Sequence, residues 1–397
     1  MKVGLSTSVI QGGETGIAQY VLALTRAMLE LEDGPELTLF VLEEDLPLFD
    51  FVRGRAHLEV IPESRRPTVR NILWHQRELP RLVRRLGLDV LHVPSYRRML
   101  WSRPCPLVTT IHDLAPFHSS GKGDWLRRFY DRVVVRQFAR RQSEIIAVSK
   151  STARDITRFW GRPAEKLQVI HHGLDHDRFY PADVEEARFQ VAAAYGVDQP
   201  FILYVSRLEH PGKNHGRLIE AFNRFKQRTP SSWQLVLGGR DGHGAEAIHA
   251  AAASSPFASD IQFLGSVPDD LLPTLYRAAG VAAHPSLFEG FGFPPLEAMA
   301  CGTPVLTTHR GALAEVVSRA AAIVDPEDID AMARGLERLV GDRLWRKSLV
   351  SAGLENAARF SWEACAAATH AVWERAAAKG RVPCHRIPLS TPQVWAS

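Results

Sequence analysis

The chain has 397 residues, of which 45% are hydrophobic and 23% charged, with a formal net charge of +4. That length exceeds one compact core and points to two domains of ordinary size in a soluble globular composition. No apolar run reaches the roughly 18–20 residues that span a bilayer, the opening Met-Lys-Val-Gly-Leu-Ser lacks a signal core, and Cys105, Cys301, Cys365 and Cys384 lack metal-like pairing, so reduced thiols and a cytoplasmic location are expected.

In chain order, residues 2–8 read as a first strand, followed by the loop Gln11-Gly12-Gly13-Glu14-Thr15-Gly16. Residues 17–31 carry Ile17, Val21, Leu24 and Met28 at helical spacing. Strands are expected at 37–42, 57–61, 89–93, 107–112, 144–148 and 167–171, with helices near 71–86, 124–141 and 150–160. A second unit follows His171-His172-Gly173-Leu174-Asp175. Its helices are expected at 183–195, 214–227, 244–254, 269–278, from Pro294, at 327–339 and at 342–358. Its strands are expected at 201–205, 234–237, 260–264, 281–284, 304–306 and 321–324. Strands alternating with helices predict parallel sheets covered on both faces. The expected division is therefore a first α/β domain over 1–178 and a second over 179–360, then a last helix over 361–378 and a tail over 379–397 that lies extended or disordered.

Charge is unevenly spread. Residues 1–180 hold 27 Lys+Arg against 21 Asp+Glu. Residues 64–85 contain seven Arg opposed only by Glu78, and residues 121–141 hold seven basic residues among Trp125, Phe129 and Tyr130. Such faces suit anionic lipid headgroups or a lipid-linked pyrophosphate, and equally a solvated helix surface. No recognised nucleic-acid motif accompanies the charge, which counts against nucleic acid as a partner.

The most informative stretch is 284–305, which sets Glu289 and Glu297 across Gly290-Phe291-Gly292-Phe293-Pro294-Pro295. Proline in the first turn of a helix forfeits no hydrogen bond, so Glu289 falls in a loop and Glu297 about one turn inside the helix. The free N–H groups and positive dipole end at that point suit a phosphate, and the two carboxylates could accept hydrogen bonds from ribose or hexose hydroxyls. Read blandly, the same stretch is a Pro-started helix with ordinary capping glutamates. Arg207 and Lys213 bracket a Pro-Gly turn after the strand 201–205 and could neutralise a diphosphate. No Asp-x-Asp pair is placed to hold a divalent cation on that phosphate, and two cations with helix ends can stabilise a departing diphosphate without one. No metal and no cofactor are therefore expected. Gly12 and Gly13 allow close backbone approach to a ligand, but their spacing is not the dinucleotide Gly-x-Gly-x-x-Gly. His112 and Asp113 end a strand, where α/β sheets place their ligands. Gly238-Gly239 ends another and could approach a nucleotide. His171, His172 and His176 lack the spacing and partners of a metal cluster.

The Glu-x7-Glu stretch, Arg207-Leu208 with Lys213-Asn214, the Gly12-Gly13 loop and the His112-Asp113 pair resemble the retaining glycosyltransferases of family 4, over nearly the whole chain. The resemblance implies the GT-B fold: two doubly wound Rossmann-like domains facing across a cleft, with the last helix crossing back to the first domain. It further implies that Glu289 contacts the transferred sugar, Glu297 the ribose, and Arg207 with Lys213 the donor diphosphate. His112 would border the sugar, with Gly12, Gly13, Gly239, Gly290, Phe291 and Gly292 lining the donor. His172 stands where the family has Asn before Gly173, so only a hinge role carries over there. The run Phe-Glu-Gly-Phe-Gly-Phe-Pro-Pro-Leu-Glu is similar to that of bacterial mannosyltransferases using GDP-mannose in O-antigen and exopolysaccharide assembly. The expectation is a hexose moved from a nucleoside diphosphate sugar to a glycan or lipid-linked oligosaccharide acceptor. GDP-rhamnose and UDP-hexose donors stay open, as does a non-catalytic nucleotide-sugar scaffold. A sugar-nucleotide epimerase or hydrolase, and a pyridoxal-dependent phosphorylase, are weaker rivals.

Overall fold

The computed structural model describes residues 1–13, 15–118 and 134–381. Most of the basic stretch 121–141, most of the expected helix 124–141 and the end of the tail lie outside these residues.

Two parallel sheets form the frame. The first takes the order β3-β2-β1-β4-β5-β6-β7 and the second β10-β9-β8-β11-β12-β13. In the first, β1 is Lys2–Ser6, β2 Glu36–Leu42, β3 His57–Ile61, β4 Val90–Val93, β5 Leu107–Ile111, β6 Glu144–Ala147 and β7 Leu167–Val169. In the second, β8 is Phe201–Val205, β9 Gln234–Gly238, β10 Ile261–Gly265, β11 Val281–His284, β12 Val305–Thr308 and β13 Ala322–Val324. Leu37–Leu42 and Leu107–Ile111 are buried along their whole lengths, because helices cover both faces of a parallel sheet. Strand order reverses between β1 and β4 and between β8 and β11, the switch points where doubly wound sheets open a crevice for ligands.

The last helix, Trp362–Arg381, belongs in packing to the first domain. Trp362, Cys365, Ala366, Val372, Trp373, Ala376 and Ala377 share a buried cluster with Val3, Leu5, Leu24, Val90 and Val108. The crossing begins at a tight contact. A Cβ on Gly173 would lie 2.3 Å from the Trp362 amide nitrogen, and Leu174 donates its amide to the Phe360 carbonyl at 3.2 Å. Only glycine fits there.

The structure departs from the sequence reading in several places. The helix expected at 71–86 divides at Glu78 into Thr68–Arg77 and Leu79–Leu86, with Pro80 in the first turn of the second. The 3₁₀ segment Glu43–Val52 and the short helix Leu313–Val317 carry no strong periodicity and were not anticipated. β1 ends at Ser6, two residues early. The arginines of 64–85 are less naked than the local sequence implies. Arg66 pairs with Glu63 and Asp45, Arg85 with Glu59 and Arg65 with Glu78; most of these acids lie outside the stretch.

Two histidines are built into the first domain as neutral rings. His75 donates from Nδ1 to the Asn71 carbonyl at 2.8 Å, so its Nε2 accepts from the Ser6 hydroxyl at 2.9 Å. His92 Nε2 lies 2.8 Å from Thr110 Oγ1. Burial lowers each from 6.5 to about 3. A depressed folded-state value gives stability that is complete above pH 6.5 and lost as pH falls from there toward 3. At pH 5 each ring should therefore cost roughly 2 kcal/mol. Thermal melts should show the midpoint falling between pH 7 and pH 5. His92→Gln, which cannot take up a proton, should flatten that fall; an unchanged slope would refute the assignment.

Candidate active site

The site is assembled at the carboxyl ends of β1, β5, β8, β9 and β11. β11 delivers Pro285–Gly292 as a loop that leads into the helix Phe293–Ala300, with Pro294 and Pro295 in its first turn. The loop is pressed against the turn at 310–312: Ala312 donates to the Glu289 carbonyl at 2.8 Å, and a Cβ on Gly311 would meet that oxygen at 2.2 Å. A second loop, after β8, carries Lys213. Leu287 donates to the Gly212 carbonyl at 3.0 Å and the Tyr204 hydroxyl donates to the Lys213 carbonyl at 2.7 Å. The two loops are thereby locked together.

Their side chains meet directly. Glu289 Oε1 accepts from Lys213 Nζ at 2.7 Å and from His284 Nε2 at 3.1 Å. Burial would raise the Glu289 carboxyl, but Lys213 and His284 outweigh it and hold the group well below the usual carboxylate range. Burial would likewise lower Lys213, and Glu289 reverses that, keeping the ammonium charged. Lys213, assigned from sequence to a diphosphate, and Glu289, assigned to a sugar, are thus one ion pair. Both partners are only partly covered, so the pair can be reached from the cleft. Both donors sit on Oε1, which leaves Oε2 for another hydrogen bond.

Glu297 is buried. Its Oε1 accepts from Gln19 Nε2 of the first domain at 3.3 Å and its Oε2 from the Tyr276 hydroxyl at 3.2 Å. Burial raises its carboxyl against the pull of those bonds. The second glutamate thus ties the two domains together through Gln19. Arg207 stands at the rim, exposed, with Nε 3.8 Å from Glu209. Gly239 cannot be replaced without a shift: its φ is 144° and a Cβ would sit 1.9 Å from the Ser206 carbonyl oxygen, while its amide donates to Gly265 at 2.7 Å.

From the first domain, Gly12 and Gly13 hold φ of 76° and 93° in the loop after β1. His112 follows β5 and closes on the second domain through its backbone, since a Cβ on Gly290 would lie 1.9 Å from the His112 carbonyl oxygen. Gly292, at φ 112°, starts the helix against Leu313. The Phe291 ring turns into an aromatic cluster with His172, Phe293 and Phe360, so that residue offers the cleft its backbone alone. His171, His172 and His176 point to separate partners, respectively Glu315, His112 and the Phe360 carbonyl. Among the described residues, no three His, Cys, Asp or Glu side chains are grouped as metal ligands.

With this geometry in place, known families and structures fall into line. A family model described as Glycosyltransferase Family 4 matches residues 15–178, and one described as Glycosyl transferases group 1 matches residues 185–356. The chain belongs to the family 4 glycosyltransferases. It is 28% identical to O-antigen chain mannosyltransferase B of Escherichia coli, over 93% of this chain and 98% of that one. It is also 30% identical to the serotype-specific mannosyltransferase WbdA of Escherichia coli over 65% of this chain, which spans 32% of that longer protein. Sucrose-phosphate synthase of Thermosynechococcus elongatus superposes with a TM-score of 0.77 at 22% identity, covering 96% of this chain and all of that one. That likeness establishes the GT-B fold.

This glycosyltransferase is held in one domain arrangement by polar contacts that the sequence did not announce. Glu315, on Leu313–Val317, accepts from the Lys150 and Ser151 amides at 2.9 and 3.2 Å and pairs with His171 at 2.8 Å. A second-domain carboxylate thus caps the first-domain helix Lys150–Trp160, where the dipole favours an anion. Thr152 Oγ1 also donates to the Gly290 carbonyl at 3.4 Å. Sequence reasoning missed His284, Gln19, Tyr276 and Glu315. His284 had a usable signal, five residues before Glu289 at a strand end; the others meet their partners only through the tertiary fold.

Proposed function

We propose that this glycosyltransferase moves a hexose, mannose from GDP-mannose, to a hydroxyl of a growing lipid-linked bacterial polysaccharide, with retention and without a metal ion. The observation that carries the reading is the Lys213–Glu289 pair beside the amino end of Phe293–Ala300. Glu289 Oε2 takes a sugar hydroxyl, Lys213 and Arg207 take the diphosphate, and Glu297 exchanges its Gln19 bond for the ribose. Gly12, Gly13, Gly239, Gly290 and Gly292 give backbone room beside the donor. No carboxylate of the described site serves as a nucleophile in this reading, so transfer is front-face. The bond from C1 to the diphosphate oxygen breaks, the acceptor oxygen bonds C1 on the same face, and the acceptor proton passes to the departing phosphate. The cations stabilise charge that builds on that phosphate, and domain closure keeps out water. The choice of mannose rests on the run from Phe288 to Glu297 and on relatives named as mannosyltransferases.

The membrane contact has its own support. On Thr68–Arg77, Val69 and Leu73 are 70% and 45% exposed one turn apart, beside exposed Arg70 and Arg77. Trp101 is 47% exposed with the Arg141 guanidinium 3.9 Å over its ring. Basic residues flanking exposed apolar side chains suit an anionic leaflet. Co-sedimentation should follow phosphatidylglycerol content and be lost in Val69→Glu/Leu73→Glu; equal binding to neutral vesicles would refute an electrostatic contact.

The donor is tested by thermal shift against GDP, UDP, ADP and dTDP sugars, followed by turnover with and without chelator. Binding raises the melting midpoint by mass action. GDP and GDP-mannose should give the largest shift, turnover should persist in chelator, and the product should be the α-mannoside by NMR. Turnover with UDP-hexoses alone would overturn the donor, chelator inhibition the metal-free route, and a β product the retention.

A further inference from the structure

Lys213 alone does not fix the plane of the Glu289 carboxylate. An ammonium is a point charge on a flexible stem, with three hydrogens and no plane of its own, and a diphosphate in the cleft would draw on it. His284 is mounted differently. It is the last residue of β11, 4% exposed, with its ring edge-on to Tyr204 at 5.3 Å. Three successive carbonyls at this point are tied down by buried side chains. The Thr307 hydroxyl donates to His284 at 2.9 Å, the Asn214 amide to Pro285 at 3.0 Å, and the Thr308 hydroxyl to Ser286 at 2.9 Å.

The partners fix where each hydrogen lies, because an ionised carboxylate and a carbonyl only accept. Burial, the largest influence on the His284 ring, keeps it neutral. With Glu289 Oε1 3.1 Å from Nε2, the ring's one hydrogen is on Nε2. Nδ1, buried with no partner among the described residues, is then a bare acceptor, the less costly kind of orphan. The other tautomer would set a lone pair against the carboxylate and also bury an unpaired N–H. The Tyr204 hydroxyl donates to the Lys213 carbonyl at 2.7 Å, so its oxygen accepts from the Ser286 hydroxyl at 3.2 Å. Ser286 Oγ, 3.3 Å from His284 Nε2, has thus spent its hydrogen and accepts from the ring. We propose that His284 is a positioning residue that keeps the Glu289 carboxylate turned with Oε2 toward the transferred sugar while Lys213 swings to the donor diphosphate. The mobile cation follows the leaving group and the fixed ring holds the acid. This rests on the assignment of Glu289 to a sugar hydroxyl and of Lys213 to the diphosphate.

Nitrogen-15 NMR of histidine-labelled protein, with His284→Gln used to assign the ring, reads the tautomer without any substrate. The hydrogen should be on Nε2. In His284→Leu, kcat with GDP-mannose should fall about tenfold or more, the scale of one hydrogen bond to a charged group. Calorimetric affinity for GDP, which has no sugar to position, should stay unchanged in the same variant. In His284→Gln, which loses the ring but has an amide able to donate to Oε1, most of the rate should return. A hydrogen on Nδ1 would overturn the proposal, as would an unaltered kcat in His284→Leu. So would GDP affinity falling as far as kcat, or equal rate losses in both variants with matching thermal midpoints. Failure of the donor reading would show separately, as absent turnover of GDP-mannose by the unsubstituted chain.

Discussion

The contact between Lys213 Nζ and Glu289 Oε1 organises the rest of this site. A mostly covered carboxylate and ammonium are costly to desolvate unless paired, and each comes from a loop with no regular structure of its own. Their attraction, with His284 on the same oxygen, backbone bonds at Gly212 and Ala312 and the Tyr204 hydroxyl on the Lys213 carbonyl, turns two loops into one rigid wall. The wall stands at the β8/β11 switch point, beside the positive dipole end of the helix Phe293–Ala300. Charge, fixed dipoles and a partly exposed carboxylate are thus brought together by the fold. Such preorganisation is what a reaction that expels a diphosphate needs from its enzyme.

The second constraint is how the domains are held. Gln19 on Glu297, Glu315 on the Lys150–Trp160 amino end, and Thr152 on Gly290 are polar links, while the crossing helix supplies the apolar one. The polar links are few and partly accessible, the kind that exchange readily for ligand groups; the Trp373 cluster is buried and permanent. The division sets tight, buried packing at Gly173 against partly accessible polar contacts at the cleft.

Much of this was legible in the sequence, for physical reasons. Parallel strands buried on both faces write themselves as continuous apolar runs, so Phe201–Val205 and Val281–His284 could be bounded to the residue. Pro294 and Pro295 marked a helix start because proline fits there and nowhere deeper. The residue types at Glu289, Glu297, Arg207 and Lys213 implied anion and hydroxyl binding. What stayed hidden was pairing. Nothing local told that Lys213 would meet Glu289 76 residues later, that Gln19 would reach Glu297, or that acids outside 64–85 would cover its arginines. The Thr68–Arg77 and Leu79–Leu86 break had a signal in Pro80, which fits a first turn and not a helix interior, but the helical period running on through Glu78 masked it.

A double-mutant cycle on stability tests the central role of the ion pair without depending on turnover. Thermal and denaturant midpoints would be compared for Lys213→Gln, Glu289→Gln and the double variant. Each single change strands a charge, so each should destabilise, and the double variant should lose clearly less than the two singles combined. Additivity within ~0.5 kcal/mol, as for independent sites, would contradict a direct pair and with it this account of the site.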